Sequence, residues 1–264
     1  MIPLIKELLR RQRNSTIWWI IGLGLTVVLI VYLYPSMGVS EELYELLDQL
    51  PPAMQLIVGE NLVFGTLEGW LQLEFLAWLP LVMAIYAGLF LTSSISKEAD
   101  QRTLEYIFSL PIKRETFLFS RYLVGAINIF IILAASWLIM ILSVYAIGES
   151  ISLTNTALAV FNSYLVTMAI FSLVFPVTAL IDDQGKGSAI VLSSIFISYL
   201  VAIILRAADT FVEAAWLIPF DHHAVGDVLA SKGIPWVSIA YLVFLSLLGL
   251  SLAVWVYRKR DFAF

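Results

Sequence analysis

Long runs without a charged side chain dominate the chain, and each is long enough to cross a lipid bilayer. The shortest, 187–205, has 19 residues, which at about 1.5 Å per residue would extend about 28 Å as an α-helix. The hydrocarbon core of a bilayer is about 30 Å thick, and its lack of water favours helices because backbone groups must pair within the segment. The pattern therefore predicts an all-α, polytopic membrane protein with six transmembrane helices, at 15–40, 75–96, 122–148, 150–181 (helical from about 157), 187–205 and 233–257.

Composition supports a membrane protein. Hydrophobic residues make up 61% of the chain and charged residues 13%, whereas soluble domains have about 45–50% and about 25%. So much apolar surface cannot be buried in one soluble core of this size, so lipid must cover the rest. The chain has no cysteine, which excludes disulfides and thiolate metal sites. We predict a single transmembrane domain over residues 1–264.

Basic residues alternate between the connecting segments. The N-terminal segment, the segments after the second and fourth helices, and the tail hold 13 of the 15 Lys and Arg residues, Arg121 among them. The segments that face the other side hold only Arg206 and Lys232. Because basic segments stay in the cytoplasm, both termini are predicted on the cytoplasmic side. The predicted location of the chain is a prokaryotic plasma membrane. External segments are then expected at 35–70 and 207–235.

The first 14 residues have an amphipathic pattern. Ile2, Ile5, Leu8 and Leu9 recur at helical spacing, with the basic residues away from that stripe. This pattern predicts an amphipathic N-terminal interfacial helix, residues 1–14, on the cytoplasmic membrane surface. The alternative is a basic segment that only sets the orientation of the first spanning helix.

The segment between the second and third helices, 97–115, is charged and patterned. Leu104, Ile107 and Phe108 would share one face of a short helix, and Pro111 disfavours its continuation. A short amphipathic helix on the cytoplasmic side is suited to contact a soluble partner. The alternative is a solvated loop that carries only orientation charges.

The same segment resembles the signature of ABC transporter permeases of the ABC-2 family, E-x-x-x-G-T-L-E-x-L-L-S-x-P-[IV]-[ST]-R. Two departures from it matter: Arg102 replaces a glycine, and Lys113 replaces a small hydroxyl residue. The positions that match are Glu98, Thr103-Leu104-Glu105, Ser109, Pro111, Ile112 and Arg114.

This resemblance implies a permease subunit of an ATP-driven exporter. Its expected partners are a separate ABC ATPase subunit, a second permease copy or a close relative, and membrane lipids, with no nucleic acid. ATP and Mg would be bound by the ATPase subunit, so no cofactor and no catalytic residue are expected in this chain; the sequence has no G-x-x-x-x-G-K-[ST] motif. The residues that the resemblance assigns to ATPase coupling are Glu98, Arg102, Thr103, Leu104, Glu105, Ile107 and Phe108.

Polar residues within the spans leave other classes open. Asn128 and Asn162 are candidates for a transport path, with interhelical packing as the favoured alternative.

A secondary transporter or channel without an ATPase is the alternative function, although no span has an ionisable residue near its centre. An intramembrane enzyme is disfavoured, since no span carries a catalytic pair. The external Asp221-His222-His223 sequence lacks a full ligand set, so no metal site is predicted there and a solvated loop is expected.

Overall fold

Six helical spans make up most of the structure. The computed structural model describes residues 2–37, 49, 66–96, 114–178, 180–181, 183–207 and 212–259, and all regular secondary structure within them is helical. The stretches long and apolar enough to cross a membrane are numbered here as spans 1 to 6: Ile2–Ser36, Leu67–Ile95, Glu115–Ala146, Leu153–Thr178, Gln184–Arg206 and Trp236–Lys259. The predicted all-α, six-helix membrane fold is confirmed.

Five spans are uninterrupted α-helices, and one is composite. Spans 1, 3, 4, 5 and 6 consist of the α-helices Ile2–Met37, Arg114–Ala146, Leu153–Thr178, Gln184–Ala207 and Trp236–Lys259. Span 2 consists of α-helix Leu67–Leu71, π-helix Gln72–Leu76, α-helix Leu79–Leu91 and π-helix Thr92–Ser96. Between spans 5 and 6 lie α-helix Val212–Ala215, 3₁₀-helix Pro219–His222 and α-helix Val225–Leu229.

Proline and the π-helical segments explain the irregularity of span 2. Pro80 stands in the first turn of the helix Leu79–Leu91, just after a two-residue turn. Proline has no N–H to continue the preceding helical ladder, so the helix restarts there. Single-turn π-helices inside longer helices occur frequently at functional sites. The second π-helix, Thr92–Ser96, ends span 2 immediately before the segment that resembles the family signature.

Spans 2 and 4 form the centre of the bundle. Most of their side chains are buried, whereas most side chains of spans 1, 5 and 6 are exposed or only partly buried. Span 1 packs on span 3, span 6 packs on span 4, and spans 4 and 5 both contact span 2. Many large apolar side chains of the outer spans are exposed, so lipid or another apolar surface must cover them.

Successive spans run in opposite directions, so the end of one span lies beside the start of the next at one of the two ends of the bundle. At one end of the bundle, Arg121 Nε donates to the Ser94 carbonyl at 2.8 Å. At the other, the Trp70 indole N–H donates to the Ile30 carbonyl at 2.9 Å. We call these the basic side and the opposite side. The charge pattern predicts that the basic side faces the cytoplasm, and the orientation of the termini stays a prediction.

The predicted N-terminal interfacial helix is not confirmed. Residues 2–37 form one continuous helix with no break near residue 14. Leu8 is buried in the protein core, and Leu4, Ile5 and Leu9 pack against that core. An amphipathic stripe indicates only that something apolar covers it. Here the protein's own core contacts Ile5, Leu8 and Leu9 of the stripe, whereas Ile2 is exposed.

Candidate functional site

The seven predicted coupling residues, Glu98, Arg102, Thr103, Leu104, Glu105, Ile107 and Phe108, lie outside the described residues. The chain is described up to Ser96, at the end of span 2, and again from Arg114, at the start of span 3. Both flanking positions are on the basic side. The assignment of these residues to ATPase coupling stays a prediction.

Asn128 lies in the middle of the bundle. It is buried on span 3, close to the hydroxyl of Tyr86 on span 2. Although the two groups are neighbours, neither its Nδ2 atom nor the Tyr86 hydroxyl makes a hydrogen bond of normal geometry within the described part of the chain. Unpaired buried polar groups are uncommon and destabilising. A transport-path role for Asn128 stays a prediction.

Asn162 holds the segment between spans 5 and 6. Its side chain is fully buried on span 4. Its Nδ2 atom donates to the His222 carbonyl at 3.2 Å, and its Oδ1 atom accepts from the Ala224 N–H at 3.0 Å. One amide thus satisfies a carbonyl and an N–H of non-helical backbone. This geometry gives Asn162 a packing function, whereas its predicted place in a transport path stays untested.

The two adjacent histidines bind different parts of the bundle. His222 Nε2 lies 2.8 Å from the Trp216 carbonyl and its Nδ1 lies 3.0 Å from Ser238 Oγ on span 6. Since a carbonyl can only accept, Nε2 carries the proton and Nδ1 accepts from the serine hydroxyl. His223 Nε2 lies 2.9 Å from Ser163 Oγ on span 4. The two rings therefore face separate hydroxyl partners and do not converge on one ligand.

Both basic residues on the opposite side are in ion pairs. Arg206, at the end of span 5, pairs with Asp221, whose side chain is almost completely buried. Lys232 pairs with Asp227 at 2.8 Å. These pairs explain how the only two cations on this side are accommodated, because each is neutralised within the same segment.

The segment between spans 5 and 6 penetrates the bundle and is not the predicted solvated loop. Asn162 lies nine residues into span 4, about 14 Å from its outer end. Non-helical backbone at such depth is tolerated where protein groups satisfy its polar atoms. Arg206, Asn162 and Tyr241 all bond main-chain atoms of residues 217–224. We call residues 212–235 the re-entrant segment.

Burial makes the re-entrant segment sensitive to acid. Burial lowers the pKa of His222, although its bond to the Trp216 carbonyl and the Asp221 charge act in the opposite direction. Burial lowers the pKa of His223 to about 3. Both rings are therefore neutral in the folded protein at pH 7, in agreement with the acceptor role of His222 Nδ1.

Acidification from pH 7.5 to pH 5 is expected to lower the thermal stability of the purified protein. His223 binds protons near pH 6.5 when unfolded but only near pH 3 when folded, so its contribution is complete above pH 6.5 and is lost as the pH falls. The measurement is the melting temperature in detergent at both pH values. The fall in melting temperature should be smaller in His223→Gln, because the glutamine amide retains a donor for Ser163 but does not titrate. Equal losses would contradict this role of His223.

Sequence reasoning missed Arg121 and the re-entrant segment. The charge pattern places Arg121 among the loop charges, yet it is buried in span 3. Its position only one residue before the charge-free run was the available signal. For the re-entrant segment, the signal was the adjacent pair Asn162-Ser163 within an apolar span, since such polar residues need partners.

A family model described as "ABC-2 family transporter protein" matches residues 64–254. The match covers spans 2 to 5, most of span 6, the re-entrant segment and the segment that resembles the signature. No curated protein matches the chain at a significant level. With its six apolar helices, the chain is a multi-pass protein of the plasma membrane and a membrane component of a transporter. The chain belongs to the ABC-2 family of transporter proteins.

Proposed function

We propose that this chain is the permease subunit of an ATP-driven exporter whose ATP hydrolysis takes place on a separate ABC ATPase subunit. The observation that carries the proposal is the family match across five of the six spans. The sequence contains no P-loop motif that would place nucleotide on this chain. ATP and Mg would accordingly be bound by the partner.

The proposed contact with the ATPase is the stretch 98–109 on the basic side. It connects span 2 to span 3, so a force on it would act on a central span and on its neighbour. Leu104, Ile107 and Phe108 would provide apolar anchors, and Glu98 and Glu105 would provide polar contacts. Apolar anchors in the centre of an interface usually contribute more than charges at its rim.

A second copy of this chain, or a close relative, would complete the transport path. Support comes from the outer spans, because many apolar side chains of spans 5 and 6 are exposed. Part of this surface would contact the second copy and the rest would contact lipid. A fully active complex with only one six-span chain, detected by native mass spectrometry, would contradict this assembly.

Glu105→Lys is expected to reduce both capture of the ATPase subunit and permease-stimulated ATP turnover, without changing membrane insertion. The reversed charge would be repelled by partner groups that attract Glu105. Membrane insertion should not change, because position 105 is not part of any of the six spans. The measurement is co-purification from the native host, followed by ATP turnover in nanodiscs. Glu213→Lys is the matched control, because it makes the same charge change in the re-entrant segment on the opposite side.

Three outcomes are distinguishable. Loss of capture and turnover in Glu105→Lys alone supports the proposed contact. Wild-type values in Glu105→Lys would show that this stretch is only a connector. If the unaltered chain captures no ATPase and still transports, the protein works as a secondary transporter or channel and the proposal is wrong.

A further inference from the structure

Arg121 is the most deeply buried charged side chain among the described residues. It is 1% exposed, near the start of span 3 on the basic side. Removal of a guanidinium from water is unfavourable by several kcal/mol unless other groups replace its hydration. A solvated position was within reach only a few residues earlier in the chain, so the burial of Arg121 indicates a specific task.

The guanidinium of Arg121 bridges span 3 and the end of span 2. Its Nε atom donates to the Ser94 carbonyl at 2.8 Å, and its Nη1 atom donates to the Phe117 carbonyl at 3.3 Å. Its carbon Cζ lies 3.3 Å from the centre of the Phe117 ring. That ring stacks on Tyr257 of span 6, with centroids 5.8 Å apart. The ring and the two carbonyls fix the plane of the guanidinium.

Ser94 lies where a cation is most useful. It belongs to the π-helix Thr92–Ser96, the last described turn of span 2. A carbonyl oxygen has two lone pairs and can accept a hydrogen bond beside one within the helix, and carbonyls toward the C-terminal end of a helix lie at the negative end of its dipole. The Arg121 guanidinium supplies both a donor and a positive charge to this end. Arg121 therefore holds the described end of span 2 from a neighbouring span.

Two further spans hold the same π-helix. Gln12 Nε2 of span 1 lies 3.5 Å from Ser94 Oγ. Ser188 Oγ of span 5 donates to Thr92 Oγ1 at 3.1 Å. Spans 1, 3 and 5 thus contact the last turn of span 2 through polar side chains. Movement of this turn would be transmitted to all three spans.

We propose that Arg121 is a positioning residue for coupling, which fixes the end of span 2 so that force on the stretch 98–109 moves the spans together. This inference rests on the proposed function. Without the guanidinium, the last turn of span 2 would yield separately and ATP hydrolysis would be uncoupled from the bundle. Lysine would keep the positive charge but would lack the planar guanidinium, whose N–H donors point in fixed directions.

The test compares Arg121→Lys, Arg121→Gln and unaltered protein, each co-purified with its ATPase subunit and placed in nanodiscs. Permease-stimulated ATP turnover should fall by about tenfold or more in Arg121→Gln, the factor that matches loss of one charge-assisted hydrogen bond. Stimulated ATP turnover in Arg121→Lys should lie between the values for Arg121→Gln and the unaltered protein. ATPase capture should stay at the wild-type level. Arg258→Gln is the control, since Arg258 is an exposed arginine on the same side.

Hydrogen exchange of the isolated chain supplies a second readout. Peptides that contain residues 90–96 should exchange faster in Arg121→Gln than in unaltered protein or Arg258→Gln. Faster exchange with unchanged stimulated turnover would reduce Arg121 to a purely structural contact and overturn the inference. If the unaltered chain neither captures nor stimulates an ATPase, the proposed function fails, and the coupling role of Arg121 fails with it.

Discussion

Replacement of Gly249 by alanine is expected to lower the free energy of unfolding by about 3 kcal/mol or more, the upper end of the usual range for overpacking. A Cβ atom at this position of span 6 would lie 2.3 Å from the Ser172 carbonyl oxygen and 2.4 Å from its carbonyl carbon. Both atoms belong to the backbone of span 4, so no side-chain rotation can relieve the contact. The two helices would have to separate along the most extensive contact between spans in the described structure.

The measurement is reversible unfolding of the purified chain in mixed detergent micelles. Gly22→Ala is the matched control, because no atom lies within 4 Å of a Cβ at Gly22. Alanine favours a helix over glycine by about 1 kcal/mol, so this variant should be as stable as the unaltered chain or slightly more stable. A similar loss in both variants would show that close helix approach at Gly249 is not the cause.

The number and approximate position of the spans could be predicted because the bilayer imposes one strong requirement, a long run without charge. For span 5, Lys186 and Arg206 mark the two ends, and the helix Gln184–Ala207 closely matches the predicted 187–205. For span 2, the predicted start at residue 75 was too late. Glu68 and Glu74 interrupt the charge-free run, yet they are accommodated at its outer end.

The partners of polar and amphipathic residues could not be predicted, because the same residue types serve solvation and buried contacts. His222 was assigned to a solvated loop, whereas it bonds Ser238 and the Trp216 carbonyl within the bundle. The stripe at Leu8 and Leu9 was assigned to a lipid surface, whereas it contacts the protein core. In each case the pattern gives the chemistry of the side chain, and only the tertiary fold supplies its partner.

Replacement of Asn162 by leucine is expected to release the re-entrant segment from span 4. Leucine has a similar volume but leaves the His222 carbonyl and the Ala224 N–H unpaired in a buried position. Each unpaired group destabilises the docked segment by about 1–3 kcal/mol. Undocking exposes both groups to water and removes this penalty, so it becomes the more favourable response. The spans themselves should remain folded.

Cysteine labelling measures the release directly, because the chain has no native cysteine. Val228 is completely buried in the re-entrant segment, so a Val228→Cys thiol should react slowly with a bulky maleimide in detergent. In the Asn162→Leu background, the rate should rise by about tenfold or more, as for a segment whose opening has become easier by more than 1.4 kcal/mol.

Asn128→Leu is the matched control for Asn162→Leu, since both replace a buried asparagine within a span. The Nδ2 atom of Asn128 makes no hydrogen bond of normal geometry in the described structure, and its polar neighbour is Tyr86 of span 2 and not the re-entrant segment. Its replacement by an apolar side chain of similar size removes an unpaired polar atom and should leave the labelling rate unchanged. An equal rise in the labelling rate in both variants would mean that the whole bundle loosens and that Asn162 does not specifically stabilise the docked segment.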